Sequence, residues 1–312
     1  MDLSPIKLEP ACKDYIWGGT RLKTEFEKGT NLEKVAESWE LSAHKDGEST
    51  ISGGIFDSLT FCQYIEKNGR ECIGKNAEKF EFFPILIKLI DAADNLSVQV
   101  HPSDEYALKY EGEYGKTEMW YVVDCEEGAF LYYGFSKPIT KQEFKTRIEN
   151  NTLLEVLNKV KIKKGDVFFI ESGTIHAIGK GAFICEVQQN SNKTYRVYDY
   201  DRRDKNGNAR ELHIEKALDV TTLAPAKECQ TGDTKILARC KYFTVEKFNS
   251  EKEGEIALSK DCFRSLIVLS GQAELTVGDI KMKIKKGDSI FIPAQDGTAK
   301  VAGRCEAIVS YV

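Results

Sequence analysis

A decapeptide that occurs twice constrains this chain more than any other feature. Residues 161–170 read KIKKGDVFFI and residues 283–292 read KIKKGDSIFI, identical at eight of ten positions. In each copy Lys-Gly-Asp supplies the chemistry of a tight turn. The Phe- and Ile-rich run behind it has the composition of a buried strand. A second, weaker pair lies upstream at an offset of 146 residues instead of 122: EMWYVVDCEEGAFL at 118–131 against RSLIVLSGQAEL at 264–275. Each of these predicts an apolar strand, a turn and a second strand. The two offsets differ by 24 residues, and the first copy holds an insertion of about that size. Residues 138–160 carry Phe144, Ile148, Leu153, Leu154 and Leu157 at roughly helical spacing.

Duplicated short strands with Gly and Asp turns predict a mainly β chain, a double cupin-type jelly-roll β-barrel with helical insertions. Helices are expected within 61–80, where Gly69 and Gly74 intervene, and over 211–219. The polar stretch 221–235, with Pro225, is the expected linker. It divides a larger cupin domain with helical insertions, 1–225, from a degenerate cupin-like β domain, 226–312.

With 312 residues the chain can bury a sizeable core. Its net charge of -5 is spread out and forms no basic footprint for nucleic acid. The longest apolar run, 82–90, is broken by Pro84 and Lys88 and is too short to span a bilayer. The N-terminus lacks the pattern of a signal peptide. Nine cysteines are scattered singly with no C-x-x-C, which predicts reduced thiols and a cytoplasmic protein.

Of the four histidines, two stand where chemistry is expected. In LSVQVHPSDEYA, side-chain alternation along a strand puts Gln99 and His101 on one face, and Pro102 ends the strand. Glu118 opens the apolar strand EMWYVV, and His176 follows the repeated strand. In the second copy the aligned residues are Arg264 and Thr298, so that copy keeps the framework and lacks the ligands. Two imidazoles and a carboxylate suit a divalent metal with open positions, Zn(II) or else Fe, Mn or Co, and Gln99 would add a carbonyl oxygen. His44 and His213 read as structural, and Trp17 and Trp39 as packing residues. GTIHAIGKGA lacks the strand and helix context of a phosphate-binding P-loop.

Several stretches together make the chain resemble the type I mannose-6-phosphate isomerases in their short bacterial form. They are YIWGGTRL (15–22), AESWELSAH (36–44), LSVQVHPSDEYA (96–107), GKTEMWYVV (115–123), ESGTIHAIGKG (171–181) and TYRVYDYDR (194–202). The resemblance implies one Zn(II) per chain, bound by Gln99, His101, Glu118 and His176. It also implies Arg196 and Lys116 as active-site residues and Ser97 as a substrate-side residue. The implied partner is a small sugar phosphate, with no nucleic acid and no membrane. The implied reaction interconverts mannose 6-phosphate and fructose 6-phosphate through a cis-enediol. Arg196, with its fixed charge and planar fork, suits a phosphate or an enediolate. Lys116 suits the same tasks or a proton shuttle. A salt bridge to Asp199 or Asp201 is the competing role for Arg196. The competing functions are a non-haem iron oxygenase on the same His101, Glu118 and His176, and a sugar-phosphate sensor without catalysis.

Overall fold

The repeated decapeptide forms the same turn twice. The computed structural model describes residues 1–29, 31–203, 207–227, 230–231 and 235–312. In the first copy the Lys163 N–H donates to Asp166 Oδ2 at 2.9 Å and the Gly165 N–H to the Val122 carbonyl at 2.8 Å. In the second, Lys285 donates to Asp288 Oδ2 at 2.9 Å and Gly287 to the Val268 carbonyl at 2.9 Å. The strands that follow pair alike, Ile170 beside Glu118 and Ile292 beside Arg264. Both offsets seen in the sequence are therefore spatial equivalences.

Both turn glycines have positive φ, +91° at Gly165 and +90° at Gly287. They differ in surroundings. A Cβ on Gly165 would meet open space, whereas one on Gly287 would collide with the Phe26 carbonyl. Gly165→Ala is expected to lose about 1 kcal/mol, the backbone cost of a left-handed residue. Gly287→Ala should lose clearly more, because Phe26 must also move. Urea unfolding of the two variants checks this, and equal midpoints would contradict it.

Among the described residues three antiparallel sheets carry the fold. A seven-stranded sheet runs in the order Gln230–Thr231, Asp166–Ile170, Glu118–Cys125, Ala182–Gln189, Ile85–Asp91, Glu37–Leu41, Ala11–Lys13. A five-stranded sheet runs Tyr195–Tyr198, Val98–Val100, His176–Ile178, Phe130–Phe135, Leu157–Lys161. Trp120, Phe168 and Ile184 of the larger sheet pack against Leu131, Tyr133 and Ile178 of the smaller, and this is the interior of the first barrel. A nine-stranded sheet forms the second barrel around Leu266, Val268, Leu275, Ile284 and Val301. The N-terminal strands Ile6–Glu9 and Thr50–Ser52 extend this third sheet, so the start of the chain is joined to its end.

The outer face of the seven-stranded sheet packs Ile85, Ile87, Met119 and Val187 on Phe243, Phe263, Phe291 and Ile308 of the second barrel. Its central strands are thus covered on both faces, which is why ILIKLID and FICEVQQ read as nearly continuous apolar runs. The inserted segment packs outside the five-stranded sheet, with Phe144 and Ile148 of the helix Lys141–Glu149 in one core cluster with Val98, Val100 and Ala177.

Local expectations fared unevenly. The insertion is helical only over Lys141–Glu149 and a short 3-10 turn, Leu153–Val156, because Leu157 already begins a strand. Within 61–80 the α-helix is Phe61–Asn68, started by a Thr60/Gln63 capping box and stopped at Gly69 (φ +97°). Two 3-10 turns follow. The helix expected over 211–219 lies at Ile214–Val220. In the second copy the expected turn after RSLIVLS is a bulge instead. The strand Arg264–Val277 runs on through a register shift at Val268/Ser270. Part of the linker, with Cys229, lies outside the described residues. Gln230–Thr231 is a short strand beside Asp166 and Val167. No described helix is long and apolar enough to cross a membrane.

Candidate active site and metal centre

The two sheets of the first barrel bring His101, Glu118 and His176 together. Their ligand atoms all lie within 4.8 Å of one another, and all three residues are buried. Glu118 opens its strand in the seven-stranded sheet, and His176 opens its strand in the five-stranded sheet. His101 stands one residue beyond the end of Val98–Val100, where Pro102 follows. Glu118 Oε1 is 3.4 Å from His176 Nε2, and Oε2 is 3.6 Å from His101 Nε2.

The imidazoles are set up as ligands. His101 Nδ1 lies 2.9 Å from the Lys193 carbonyl, and His176 Nδ1 lies 2.8 Å from the Thr174 carbonyl. A carbonyl can only accept, so each Nδ1 carries the proton and each Nε2 presents a lone pair to the centre. Burial pulls His176 down to about 4 and, helped by the Lys116 charge, His101 well below its usual range. Both rings are therefore neutral at pH 7, as metal binding requires. His176 Nε2 and both Glu118 oxygens are buried without a properly directed hydrogen bond. The Lys116 ammonium touches Glu118 Oε2 as an ion pair only. His176 Nε2 and Glu118 Oε1, two acceptors 3.4 Å apart with no donor between them, mark a place for a cation, so the residues present fit a metal.

A ladder of buried charges runs outward from Glu118. Lys116 Nζ is 2.7 Å from Glu118 Oε2, 3.0 Å from His101 Nε2 and 3.9 Å from Glu186 Oε1. Lys88 Nζ is 3.3 Å from Glu186 Oε1 and 3.5 Å from Glu37 Oε2. Trp120 Nε1–H donates to Glu186 and Trp39 Nε1–H to Glu37, at 2.8 and 2.7 Å. Burial, then repulsion from Glu186, raises the Glu118 carboxyl against the pull of Lys116. Glu186 is as deeply buried, but Lys116 and Lys88 together hold it low. Glu186 thus has two ammonium groups beside it and Glu118 one.

Lys116, Glu186, Lys88 and Glu37 of the ladder line a cavity of about 260 Å³, whose wall also includes Ser97, Gln99, Arg196 and Arg210, and Lys116 joins it to the triad. Cross-strand pairing explains its layout. His176 sits opposite Gln99, and Gln99 sits opposite Arg196. Directly opposed side chains share a face, and strands lie about 4.8 Å apart, so Arg196 is two strands, roughly 10 Å, from His176. Arg196 Nε donates to Ser97 Oγ at 3.2 Å and its Nη1 to the Glu211 carbonyl at 3.0 Å. The salt-bridge alternative does not hold, because Asp199 is engaged by Arg202 and Arg210. Among the described residues Arg196 has no ion pair, and burial followed by the Arg210 charge lowers its pKa.

The sequence singled out His101, Glu118, His176, Gln99, Lys116, Ser97 and Arg196, and all seven meet at this triad and cavity. Glu37, Lys88, Glu186 and Arg210 were missed. Single charges inside the apolar runs ILIKLI and FICEVQQ were the available signal for Lys88 and Glu186. Trp17 is buried yet also walls the cavity, while Trp39 is fully enclosed. His44 lies apart beside Glu113, and His213 accepts the Arg196 backbone N–H through Nδ1.

In the second barrel the position of Glu118 belongs to Arg264. Its guanidinium donates to the Ala257 and Phe263 carbonyls at 3.1 and 3.0 Å and lies 4.0 Å from the Tyr311 ring centre. Thr298 pairs with Ala257 as His176 pairs with Gln99. A side chain that brings its own positive charge thus occupies the equivalent position.

Comparison with known proteins agrees with this geometry. A family model described as phosphomannose isomerase type I, catalytic domain, matches residues 6–129, and one described as mannose-6-phosphate isomerase, cupin domain, matches residues 233–312. The mannose-6-phosphate isomerase ManA of Bacillus subtilis (strain 168) is 39% identical over 321 residues, covering 100% of both chains. The mannose-6-phosphate isomerase of Streptococcus mutans is 39% identical over 315 residues, covering 98% of each. The crystal structure of the Bacillus subtilis mannose 6-phosphate isomerase superposes with a TM-score of 0.90 at 38% identity, over 99% of this chain and 100% of the other. Relatedness at this level over the whole length sets aside the oxygenase and sensor alternatives, and the chain belongs to the type I phosphomannose isomerase family of aldose–ketose isomerases.

Proposed function

We propose that the enzyme works with one Zn(II) held by His101, Glu118, His176 and Gln99, and that it moves a proton between C1 and C2 of the sugar phosphate through a cis-enediol. The observation that carries this reading is the convergence of His101, Glu118 and His176 on one buried point beside a cation-lined cavity, with His176 Nε2 and Glu118 Oε1 lacking any hydrogen-bond partner. A bound divalent metal supplies polarisation of the substrate oxygens and stabilisation of developing negative charge.

The chain's own residues do the rest. Arg196, with no carboxylate paired to it among the described residues, offers its fork to the phosphate or to the enediolate oxygen. Ser97 steers that fork through its hydroxyl. Lys116 carries a proton at Nζ between Glu118 and His101, within reach of the substrate oxygens that the cavity would place there. Ile90, Leu96 and Ile178 line the same cavity and limit the water around the reacting carbons. In this reading residues 1–225 form the catalytic half in the cytoplasm, and 226–312 the half that has lost its metal.

Dialysis against a chelator is expected to abolish interconversion of mannose 6-phosphate and fructose 6-phosphate, and added zinc to restore it. Elemental analysis of the active protein should give one zinc per chain. Full activity in metal-free protein, or a second metal in the C-terminal barrel, would overturn the assignment.

A further inference from the structure

Lys116 and Glu118 are placed by the backbone that carries them, and that backbone is held from outside the first barrel. The segment 115–117 runs into the strand that Glu118 opens. Its Lys116 N–H donates to the Pro102 carbonyl at 3.0 Å. The Thr117 N–H donates to Gln189 Oε1 at 2.9 Å, and the Gln189 N–H returns a bond to the Thr117 carbonyl at 3.1 Å. Gln189 Nε2 donates to Asp104 Oδ1 at 2.7 Å, and the same oxygen accepts the Gly115 N–H at 2.9 Å. The other carboxylate oxygen, Oδ2, accepts the hydroxyl of Tyr242 at 2.6 Å. Position 115 has room only for glycine, since a Cβ would strike the backbone of Ser103 and Asp104.

Tyr242 stands in the region matched by the C-terminal cupin model, just before the strand Thr244–Ser250. Its ring is buried, as are Gln189 and Thr117. Each group on the path has one possible role. The amide oxygen of Gln189 must face the Thr117 N–H and its nitrogen must face Asp104, because the reverse would oppose donor to donor and acceptor to acceptor. The carboxylate can only accept, so Tyr242 must donate. The remaining cation near Oδ2, Lys241, is 4.0 Å away and its side chain is largely in solvent.

We propose that Tyr242 is a positioning residue for the isomerase reaction, contributed by the C-terminal barrel, which acts through Asp104 and Gln189 to fix segment 115–117 and hence Lys116 and Glu118. This rests on the placement of Lys116 and Glu118 in the active site. It gives the C-terminal barrel a function beyond covering the first one. Without the hydroxyl, Asp104 Oδ2 loses its short bond, the carboxylate can turn toward Lys241, and Gln189 loses the acceptor that sets its amide.

The test uses the full-length zinc-loaded enzyme and the variants Tyr242→Phe, Asp104→Asn and the double variant. Steady-state kinetics are read at room temperature, and zinc affinity by competition with a chromophoric chelator. Tyr242→Phe removes one oxygen and leaves the packed ring. It is expected to lower kcat about tenfold with KM within about twofold, and to weaken zinc about tenfold, the low end for outer-shell changes. The double variant should be no worse than Asp104→Asn alone, since both break one path. A Tyr242→Phe enzyme with wild-type kcat and zinc affinity would overturn the proposal, even if it melted earlier, for that is what a plain packing contact does. Multiplying effects in the double variant would overturn it too. If Tyr242→Phe does not accumulate folded, Asp104→Asn alone reads the path, and an unchanged kcat there is equally decisive. Should the wild-type enzyme with zinc fail to interconvert the two sugar phosphates, the assigned function fails, whatever Tyr242 does.

Discussion

Glu118→Gln is expected to leave a folded protein that no longer holds its metal and no longer turns over at one equivalent of zinc. The carboxylate lies within 3.6 Å of both ligand nitrogens, and neither of its oxygens has a properly directed hydrogen bond. In the proposed ligand set it is the one negative member, and its charge is what burial and Glu186 make costly when no metal is present. Changes in residues that merely support ligands cost about 10–100-fold in metal affinity, so replacing this ligand should cost more than about 100-fold. A ligand that binds only the folded state also stabilises it. Zinc should therefore raise the melting temperature of the wild type and leave that of Glu118→Gln where it is. The metal-free variant should still fold, because the amide has the volume of the carboxyl it replaces, but it should melt earlier than the metal-free wild type, since the buried Lys116 loses its nearest carboxylate. Stoichiometric zinc and near-normal turnover in the variant would remove Glu118 from the ligand set.

The sequence exposed the parts of this site that obey a periodicity. Gln99 and His101 lie two apart, and the structure puts Gln99 in the cavity wall and opposite His176, with His101 in the triad beside it. The duplicated turn was legible because its geometry needs Gly and Asp at fixed places, and both copies kept the Lys N–H to Asp bond. The comparison of copies then exposed Glu118 and His176 as positions where the second copy differs. Helix ends were less legible. Where the turn Leu153–Val156 gives way to a strand depends on partners far along the chain, and Leu157 is strand because it pairs with Phe135.

What the sequence hid follows from burial on two faces. In a half-exposed strand a charge points to water, and alternation reveals it. The strand Ile85–Asp91 is buried throughout, so Lys88 appears only as an interruption. Its meaning lies across the sheet, in Glu186 opposite it on one side and Glu37 on the strand at its other side. The relay from Tyr242 was equally invisible, since 138 residues separate Tyr242 from Asp104 and no local pattern marks either.

Arg196→Ala is expected to keep its zinc and its fold while losing turnover. Arg196 lies two strands from His176 and outside the ligand set, so metal content should stay at one per chain. Its neighbours depend on it little. It binds a serine hydroxyl and one backbone carbonyl, and Asp199 keeps Arg202 and Arg210 without it. What the substitution removes is a partly buried charge, at the edge of the cavity, that no acid among the described residues pairs with. Loss of one preorganised charge partner typically costs about 10²–10³ in kcat. The kinetic split decides which end of the substrate it serves. A partner of the enediolate lowers kcat and kcat/KM together, whereas a phosphate clamp raises KM and spares kcat. Arg196→Lys should recover little, because a single ammonium cannot hold Ser97 and the Glu211 carbonyl while also presenting two parallel donors to the substrate. Near-wild-type kcat and KM in the zinc-loaded alanine variant would leave Arg196 as a wall of the cavity and no more.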